Sequence, residues 1–123
     1  MAKDTKPLQS FEDLTVWQES QNLALMVYKI TKDFPKEEMF AITSQIRRSV
    51  ASVSANIAEG FGRQTKNDKH HFAVMAYGSL LETKNFLYLA NKLGYISNEE
   101  LELIVGQVVS CQKLLNAYKR VIR

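Results

Sequence analysis

The sequence predicts an all-α protein, an antiparallel up-down-up-down four-helix bundle, from three observations. Glycine and proline are scarce, five and two among 123 residues, which is typical of a helix-rich chain. Breaks divide the chain into four segments of similar length. Each segment repeats apolar residues at the 3.6-residue spacing of a helix, and none shows sustained strand alternation. Short connections between helices of similar length favour antiparallel neighbours.

The helix boundaries follow from local signals. Pro35 disfavours helix at the residue before it and so ends the first segment. Gly60 and Gly62 end the second segment. Capping sequences that begin at Thr65 and Ser97 open the third and fourth. The predicted helices therefore lie near 13–34, 37–60, 66–93 and 98–122.

Each predicted helix has an apolar stripe that we expect to face the core. The four stripes are Val16, Leu23, Val27, Ile30 and Phe34; Met39, Ile42, Ile46, Val50, Val53 and Ile57; Phe72, Met75, Ala76, Ser79, Phe86, Ala90 and Leu93; and Leu101, Ile104, Val105, Val108, Leu115 and Ile122. Cys111 falls near the core arc of the last helix, where a buried small apolar residue is expected rather than a reactive thiol.

Length and composition predict one domain over residues 11–123, preceded by a flexible segment over 1–10. The polar start MAKDTKPLQS lacks the apolar core of a signal peptide. No apolar run approaches the roughly 20 residues of a membrane span. We therefore expect a cytoplasmic protein with no membrane partner. The single cysteine excludes an intrachain disulfide and a cysteine-rich metal site.

Apolar residues outside the core stripes predict that the chain associates with itself. A lone four-helix bundle would expose them, and large exposed apolar patches usually mark partner surfaces. The alternative is an irregular core that absorbs the surplus. The candidate interface residues are Trp17, Tyr28, Ala51, Ala55, Tyr77, Leu81 and Tyr88.

The sequence predicts no metal, cofactor or catalytic residue. Bundles that hold two metal ions use Glu-x-x-His motifs, and this chain has none. Its two histidines, His70 and His71, are adjacent and would point about 100° apart on a helix. Phosphate-binding glycine loops and nucleophile elbows are also absent. An acid/base pair of Glu59 and Glu82 remains as the enzymatic alternative.

Polar residues on the second and third helices have two interpretations. They could serve acid/base chemistry, or they could form a structural network that satisfies helix ends and fixes register. The second is favoured, because no nucleophile or ligand set accompanies them. The predicted network is Ser52, Asn56, Glu59, Ser79 and Glu82. Glu59 also precedes Arg63 by four residues, the favourable order for a helical ion pair.

Basic residues supply a modest argument for a nucleic-acid partner. The net charge is +3, and the excess concentrates in residues 61–92, as a localised electrostatic footprint requires. Arg47 and Arg48 could bind phosphate or acidic groups of a neighbouring subunit, and the sequence leaves both open. The candidate nucleic-acid-binding residues are Arg47, Arg48, Arg63, Lys66, Lys69 and His70.

Five short motifs occur in a characteristic order. They are Phe11-Glu-Asp-Leu-Thr-Val-Trp17, Gln45-Ile-Arg-Arg48, Ser52-Val-Ser-Ala-Asn-Ile-Ala-Glu-Gly60, Gly78-Ser-Leu-Leu-Glu82 and Leu93-Gly-Tyr95. With these motifs the chain resembles, over about residues 11–120, the S23-like four-helix-bundle proteins encoded in intervening sequences of bacterial 23S ribosomal RNA genes. The same family is similar to the accessory variability protein of diversity-generating retroelements.

The resemblance implies a cytoplasmic bundle that assembles as a homopentamer and has no established catalytic activity. It also implies RNA, or a nucleic-acid enzyme such as a reverse transcriptase, as a partner. The combined expectation is a non-enzymatic, pentameric adaptor that binds nucleic acid. The alternative is a purely protein-binding structural oligomer without nucleic-acid affinity.

Overall fold

A computed structural model describes residues 9–122 of the chain. Most of the segment predicted as flexible, 1–10, lies outside these residues. The described part contains four α-helices, α1 Thr15–Thr31, α2 Ile42–Phe61, α3 Lys66–Lys92 and α4 Asn98–Val121. Short 3-10 turns occupy Phe11–Asp13 and Lys36–Glu38, and no strand is present within 9–122.

The helices form a square in which each one packs against two others. Helix α1 packs on α2 and α4, and α3 packs on the same two helices. The diagonal pairs, α1 with α3 and α2 with α4, do not meet among the described residues. The short connections make consecutive helices antiparallel. The predicted fold class, an antiparallel four-helix bundle, is confirmed.

Two helix starts follow the capping signals in the sequence. The Thr65 hydroxyl accepts a hydrogen bond from the Asp68 amide at 3.1 Å and opens α3. Ser97 opens α4 with a reciprocal pair: its hydroxyl accepts from the Glu100 amide at 3.0 Å, and the Glu100 carboxylate accepts from the Ser97 amide at 2.9 Å. Gly94 has φ of 83° after α3, a conformation that glycine adopts without strain.

The connection between α1 and α2 is longer than predicted. Pro35 has a non-helical backbone, with φ of −54° and ψ of 140°, and residues 36–38 then form a 3-10 turn instead of the first turn of α2. Ala41, which precedes α2, has an irregular backbone and offers no capping oxygen. Helix α2 therefore begins at Ile42 rather than near residue 37. Met39 falls outside the helix and is 47% exposed, so its predicted place in the core is wrong.

The core is continuous and is built from all four helices. The predicted stripes of α1, α2 and α4 are buried or half-buried, apart from Met39. The stripe predicted for α3 is partly wrong, because Met75 and Leu93 are exposed. Apolar residues occur around most of α3, so the periodic signal does not single out one face. The buried residues of α3 are Ala73, Ala76, Leu80, Thr83, Leu87 and Ala90.

None of the helices in the described part is both long enough and apolar enough to span a bilayer.

Candidate functional site

Hydroxyl groups join α2 to α3 along a line that we call the seam, formed by Ser49, Ser52, Ser79 and Thr83. The Ser52 and Ser79 hydroxyl oxygens lie 2.6 Å apart, and those of Ser49 and Thr83 lie 2.9 Å apart. The Thr83 hydroxyl also donates to the Ser79 carbonyl at 2.8 Å. Ser49 and Thr83 are buried. These contacts fix the register of the two helices, since unpaired buried hydroxyls would be costly.

The remaining members of the predicted network lie outside the seam. The Asn56 amide donates to the Ser52 carbonyl at 2.8 Å, within its own helix. Glu59 pairs with Arg63 at 2.8 Å, and both side chains are exposed. Glu82 is exposed on α3. The structure therefore brings Ser52 and Ser79 together, and it adds the hydroxyls of Ser49 and Thr83, which the sequence does not predict as members.

Glu59 and Glu82 are not arranged as an acid/base pair. Gly60 lies beside Phe72, because a Cβ added at Gly60 would stand 2.7 Å from the Phe72 Cβ. Glu82 is ten residues beyond Phe72, which places the two carboxylates at levels roughly 15 Å apart along the bundle at 1.5 Å per residue. Carboxylate pairs that share one reacting bond lie within about 10 Å of each other.

Four candidate basic residues surround the connection from α2 to α3. We call this group the basic corner: Arg63, Lys66, Lys69 and His70. The Arg63 guanidinium stacks 4.6 Å from the Phe72 ring centre, and the Lys69 ammonium donates to the Phe61 carbonyl at 3.1 Å. Lys66 is exposed and His70 is half-buried.

Arg47 and Arg48 lie elsewhere on α2. The Arg47 Nε donates to the Thr31 hydroxyl at 2.8 Å, and its guanidinium lies 4.8 Å from the Tyr28 ring centre. Arg47 thus ties α2 to α1, whereas Arg48 is exposed. Twelve residues, or roughly 18 Å of helix, separate Arg48 from Gly60 at the end of α2. The six basic candidates therefore form two separate groups.

The apolar interface candidates of α3 lie on one exposed stripe. Leu81 is 50% exposed and Tyr88 is 43% exposed, while Tyr77 is half-buried. The Lys119 ammonium of α4 lies 5.6 Å from the Tyr77 ring centre. The stripe therefore borders α4 and faces outward.

The remaining interface candidates differ in exposure. Ala51 and Ala55 are exposed on the outer side of α2. Tyr28 is 42% exposed beneath the Arg47 guanidinium. Trp17 is half-buried and packs edge-on against Phe11, with ring centres 5.2 Å apart.

An open groove lies between α3 and α4, on the same side as the α3 stripe. Its volume is about 450 Å³. Its lining residues are Tyr88, Asn98, Leu101, Glu102, Val105 and Gly106. Phe40 is 95% exposed in the connection from α1 to α2, and the sequence does not predict this exposure. The available signal was that Phe40 lies in a proline-containing connection and belongs to no periodic stripe.

Nucleophilic and metal chemistry finds little support in the described residues. Cys111 is buried, as expected, and its burial raises the pKa of the thiol to about 11. The thiolate required for nucleophilic attack is therefore scarce at neutral pH. Within residues 9–122, no three His, Cys, Asp or Glu side chains are grouped to hold a metal ion.

Comparisons with known proteins identify the family. A crystal structure from Bacteroides thetaiotaomicron, described as a protein of unknown function from the S23 ribosomal protein family, is similar with a TM-score of 0.77 and 27% identity. The likeness covers 87% of this chain and 100% of that chain. No sequence of a curated protein matches the chain. The profile of the 23S rRNA-intervening sequence proteins matches residues 12–117. The resemblance of the sequence motifs to the S23-like proteins is thus confirmed, and the chain belongs to the 23S rRNA-intervening sequence protein family.

Proposed function

We propose that this protein is a non-enzymatic homo-oligomer that binds RNA through its basic corner. The observation that carries the proposal is the grouping of Arg63, Lys66, Lys69 and His70 at one exposed connection of the bundle. Lysine and arginine side chains grouped in this way supply the phosphate contacts on which nucleic-acid affinity depends. The stacking of Arg63 on Phe72 holds one of these charges at the surface.

The proposal includes self-association into a homopentamer, a cytoplasmic location, and action as an adaptor for RNA or for a nucleic-acid enzyme such as a reverse transcriptase. The exposed apolar stripe of α3 supports self-association, because such patches on soluble proteins commonly mark partner surfaces. The number of subunits and the enzyme partner rest on the resemblance stated above. The burial of Cys111 and the separation of Glu59 from Glu82 support a role without catalysis.

Filter binding with fragments of ribosomal RNA at a series of salt concentrations tests the RNA-binding part. We expect retention at low salt that falls as salt rises, because bound phosphates release counterions. Lys66→Glu should weaken binding and lower the slope of log affinity against log salt by about one for each lost phosphate contact. Lys36→Glu, an equal charge change at an exposed residue of the α1–α2 connection, is the matched control. An absence of retention, or retention that is insensitive to salt, would contradict the proposal.

The second candidate is a purely protein-binding structural oligomer. It is favoured by the contacts that three basic candidates already make within the chain: Arg47 with Thr31, Arg63 with Glu59, and Lys69 with the Phe61 carbonyl. Light scattering combined with the ratio of absorbance at the nucleic-acid and protein maxima separates the two. An oligomer free of nucleic acid that also fails to retain RNA fragments would support this second candidate.

A further inference from the structure

The surface between α3 and α4 changes its charge along its length. The acidic residues of α4 all lie among its first five, beside the groove: Glu99, Glu100 and Glu102. From residue 103 to residue 122 the charged side chains are all basic: Lys113, Lys119 and Arg120. The Lys119 ammonium lies 5.6 Å from the Tyr77 ring centre, so this basic half of α4 runs beside the first half of α3. It therefore lies at the end of the bundle that carries the basic corner.

Helical spacing places the three basic residues of α4 on the side that borders α3. Lys119 and Arg120 follow the groove residues Leu101 and Glu102 by eighteen residues, which is five complete turns. Lys113 follows Glu102 by eleven residues and so lies about 20° from its direction. Lys113 and Arg120 are exposed, and Lys119 is half-buried.

The facing side of α3 is basic as well. His70 precedes the groove residue Tyr88 by eighteen residues, and Lys66 and Lys84 lie within about 40° of the same direction. These residues and the three of α4 form a surface that we call the basic face: Lys66, His70, Lys84, Lys113, Lys119 and Arg120. Lys66 and His70 belong to both the basic corner and the basic face.

The acidic residues of α3 and α2 lie away from the basic face. On α3, Asp68 and Glu82 project about 160° and 120° from the direction of Tyr88. On α2, Glu59 pairs with Arg63, and α2 does not meet α4 among the described residues. No carboxylate of residues 9–122 forms an ion pair with a member of the basic face.

The acidic residues of α1 lie on the other flank of α4. The Glu19 carboxylate accepts a hydrogen bond from the Gln107 side-chain amide at 2.9 Å. Glu12 and Asp13 come directly before Leu14, which lines a hollow between α1 and α4. The basic face therefore carries positive charge that the neighbouring helices do not neutralise.

Helix stability explains only part of this charge. Lys119 and Arg120 lie in the last turn of α4, where cations complement the helix dipole. Lys113 lies two turns earlier and Lys84 lies within α3, so the dipole accounts for neither. Like charges on one surface repel each other, and a bound polyanion relieves that repulsion. The basic face thus has the electrostatics of a phosphate-binding surface.

We propose that RNA bound at the basic corner continues along the basic face, where Lys113, Lys119 and Arg120 contact its phosphates. The inference rests on the RNA binding proposed above and adds these α4 residues to the site. The path turns towards α4 because the other basic residues of the corner are already engaged. Arg63 pairs with Glu59, and Lys69 donates to the Phe61 carbonyl.

The length of the basic face suits a nucleic-acid backbone. Lys66 lies eleven residues before Tyr77, which is roughly 16 Å along α3. Lys113 lies six residues before Lys119, which is roughly 9 Å in the opposite direction along the bundle. The two distances give a path of roughly 25 Å, enough for several phosphates at about 3.4 Å each along one strand of a double helix.

The basic face also remains available when the protein associates with itself. Burial against an equal surface of a second copy would bring like charges together, which is costly. The exposed apolar side chains of the α3 stripe, such as Leu81, lie closer to the groove and carry no charge. RNA binding and self-association therefore use different parts of the α3–α4 surface.

Filter binding with ribosomal RNA fragments at a series of salt concentrations tests the added residues. Lys113→Glu and Arg120→Glu should each weaken retention and lower the slope of log affinity against log salt by about one for each lost phosphate contact. Arg48→Glu is the matched control, an equal charge change at an exposed residue of α2, and it should keep the wild-type slope. All three side chains are exposed, so the helical circular dichroism should not change.

Lysine acetylation of the wild-type chain gives a second measurement that needs no substitution. Mass spectrometry compares the acetylation of each lysine with and without bound ribosomal RNA fragments. Lys113 and Lys119 should react several-fold more slowly in the complex, whereas Lys32 and Lys36, which lie at the other end of the bundle, should react equally in both. Equal acetylation of Lys113 and Lys119 with and without RNA would overturn the proposed path.

The outcomes separate this inference from the proposed function. If Lys66→Glu weakens binding but Lys113→Glu and Arg120→Glu behave like Arg48→Glu, the basic corner stands and the basic face is wrong. An equal loss with Arg48→Glu would show a response to net charge alone, which also overturns the path. A wild-type chain that retains no RNA at low salt would overturn both.

Discussion

The two flanks of α3 differ in how completely the chain fills them. On the α2 side, Gly60 lets the backbone approach Phe72, and the seam pairs hydroxyls of both helices. On the α4 side, an open groove of about 450 Å³ continues into a stripe that includes Leu81, which is 50% exposed. One flank is closed within the chain, and the other leaves an open groove beside exposed apolar side chains. The closely packed flank thus contributes to the fold, whereas the open flank leaves apolar side chains exposed.

The largest expected effect is the difference in the free energy of unfolding between a substitution in the core and one on the exposed surface. Leu80 is fully buried in α3 and Leu25 is 70% exposed on α1. Leu80→Ala should lower the free energy of unfolding by about 2–5 kcal/mol, because it removes buried methyl groups and leaves a cavity. Leu25→Ala should change it by less than about 0.5 kcal/mol. Urea unfolding followed by circular dichroism measures both, and similar losses for the two variants would contradict the assigned core.

The next largest effect on stability is expected at Gly60, where α2 lies close to α3. Gly60→Ala should lower the free energy of unfolding by about 1–3 kcal/mol, because the new methyl group overpacks against the Phe72 Cβ. Gly78→Ala is the matched control, since a Cβ there meets nothing within 4 Å. That change should raise stability by about 0.5–1 kcal/mol through its helix preference. Equal stabilisation by both substitutions would mean that the two helices are not in close contact at Gly60.

A smaller effect concerns the hydroxyls of the seam. Ser49→Ala and Thr83→Val should each lower the free energy of unfolding by about 1 kcal/mol, because each removes a buried hydrogen-bonding partner. The double variant should lose less than the sum, with a coupling energy of at least about 0.5 kcal/mol between the two sites. Additive losses in thermal or urea unfolding would indicate that the two hydroxyls do not interact.

The smallest effects are expected at the two carboxylates that the sequence joined to this network. Glu82→Gln should change the free energy of unfolding by less than about 0.5 kcal/mol, since Glu82 is exposed. Glu59→Gln should lose only the small contribution of an exposed helical ion pair with Arg63, about 0.3–0.5 kcal/mol. A loss above about 1 kcal/mol for Glu82→Gln would extend the seam network to the surface of α3.

Local signals in the sequence predict most of the fold. The hydroxyls of Thr65 and Ser97 accept the amide hydrogen bonds that their capping sequences predict, because a cap needs only residues three positions apart. The start of α2 was harder to predict from the sequence. Pro35 predicts the end of α1, but neither Pro35 nor Ala41 indicates that a 3-10 turn and residues 39–41 come before α2. The buried face of α3 was also ambiguous, since apolar residues surround much of that helix.

The contacts of the site depend on distances between helices. Residue spacing along the sequence does not give those distances. Ser49 and Thr83 are 34 positions apart, yet their hydroxyl oxygens lie 2.9 Å apart. Arg47 was a surface candidate by its position in the sequence, but its Nε reaches the Thr31 hydroxyl of another helix. Phe40 belongs to no periodic stripe, and only the structure gives its exposure of 95%.

The molar mass of the wild-type chain at micromolar concentration tests the central claim most directly, namely that the unfilled flank of α3 serves self-association. Sedimentation equilibrium should give a mass several times that of the 123-residue chain, with five copies expected from the family resemblance. Gly106→Trp, which fills the groove, should shift that mass towards a single chain. A clean monomer for the wild type across the micromolar range would contradict the account.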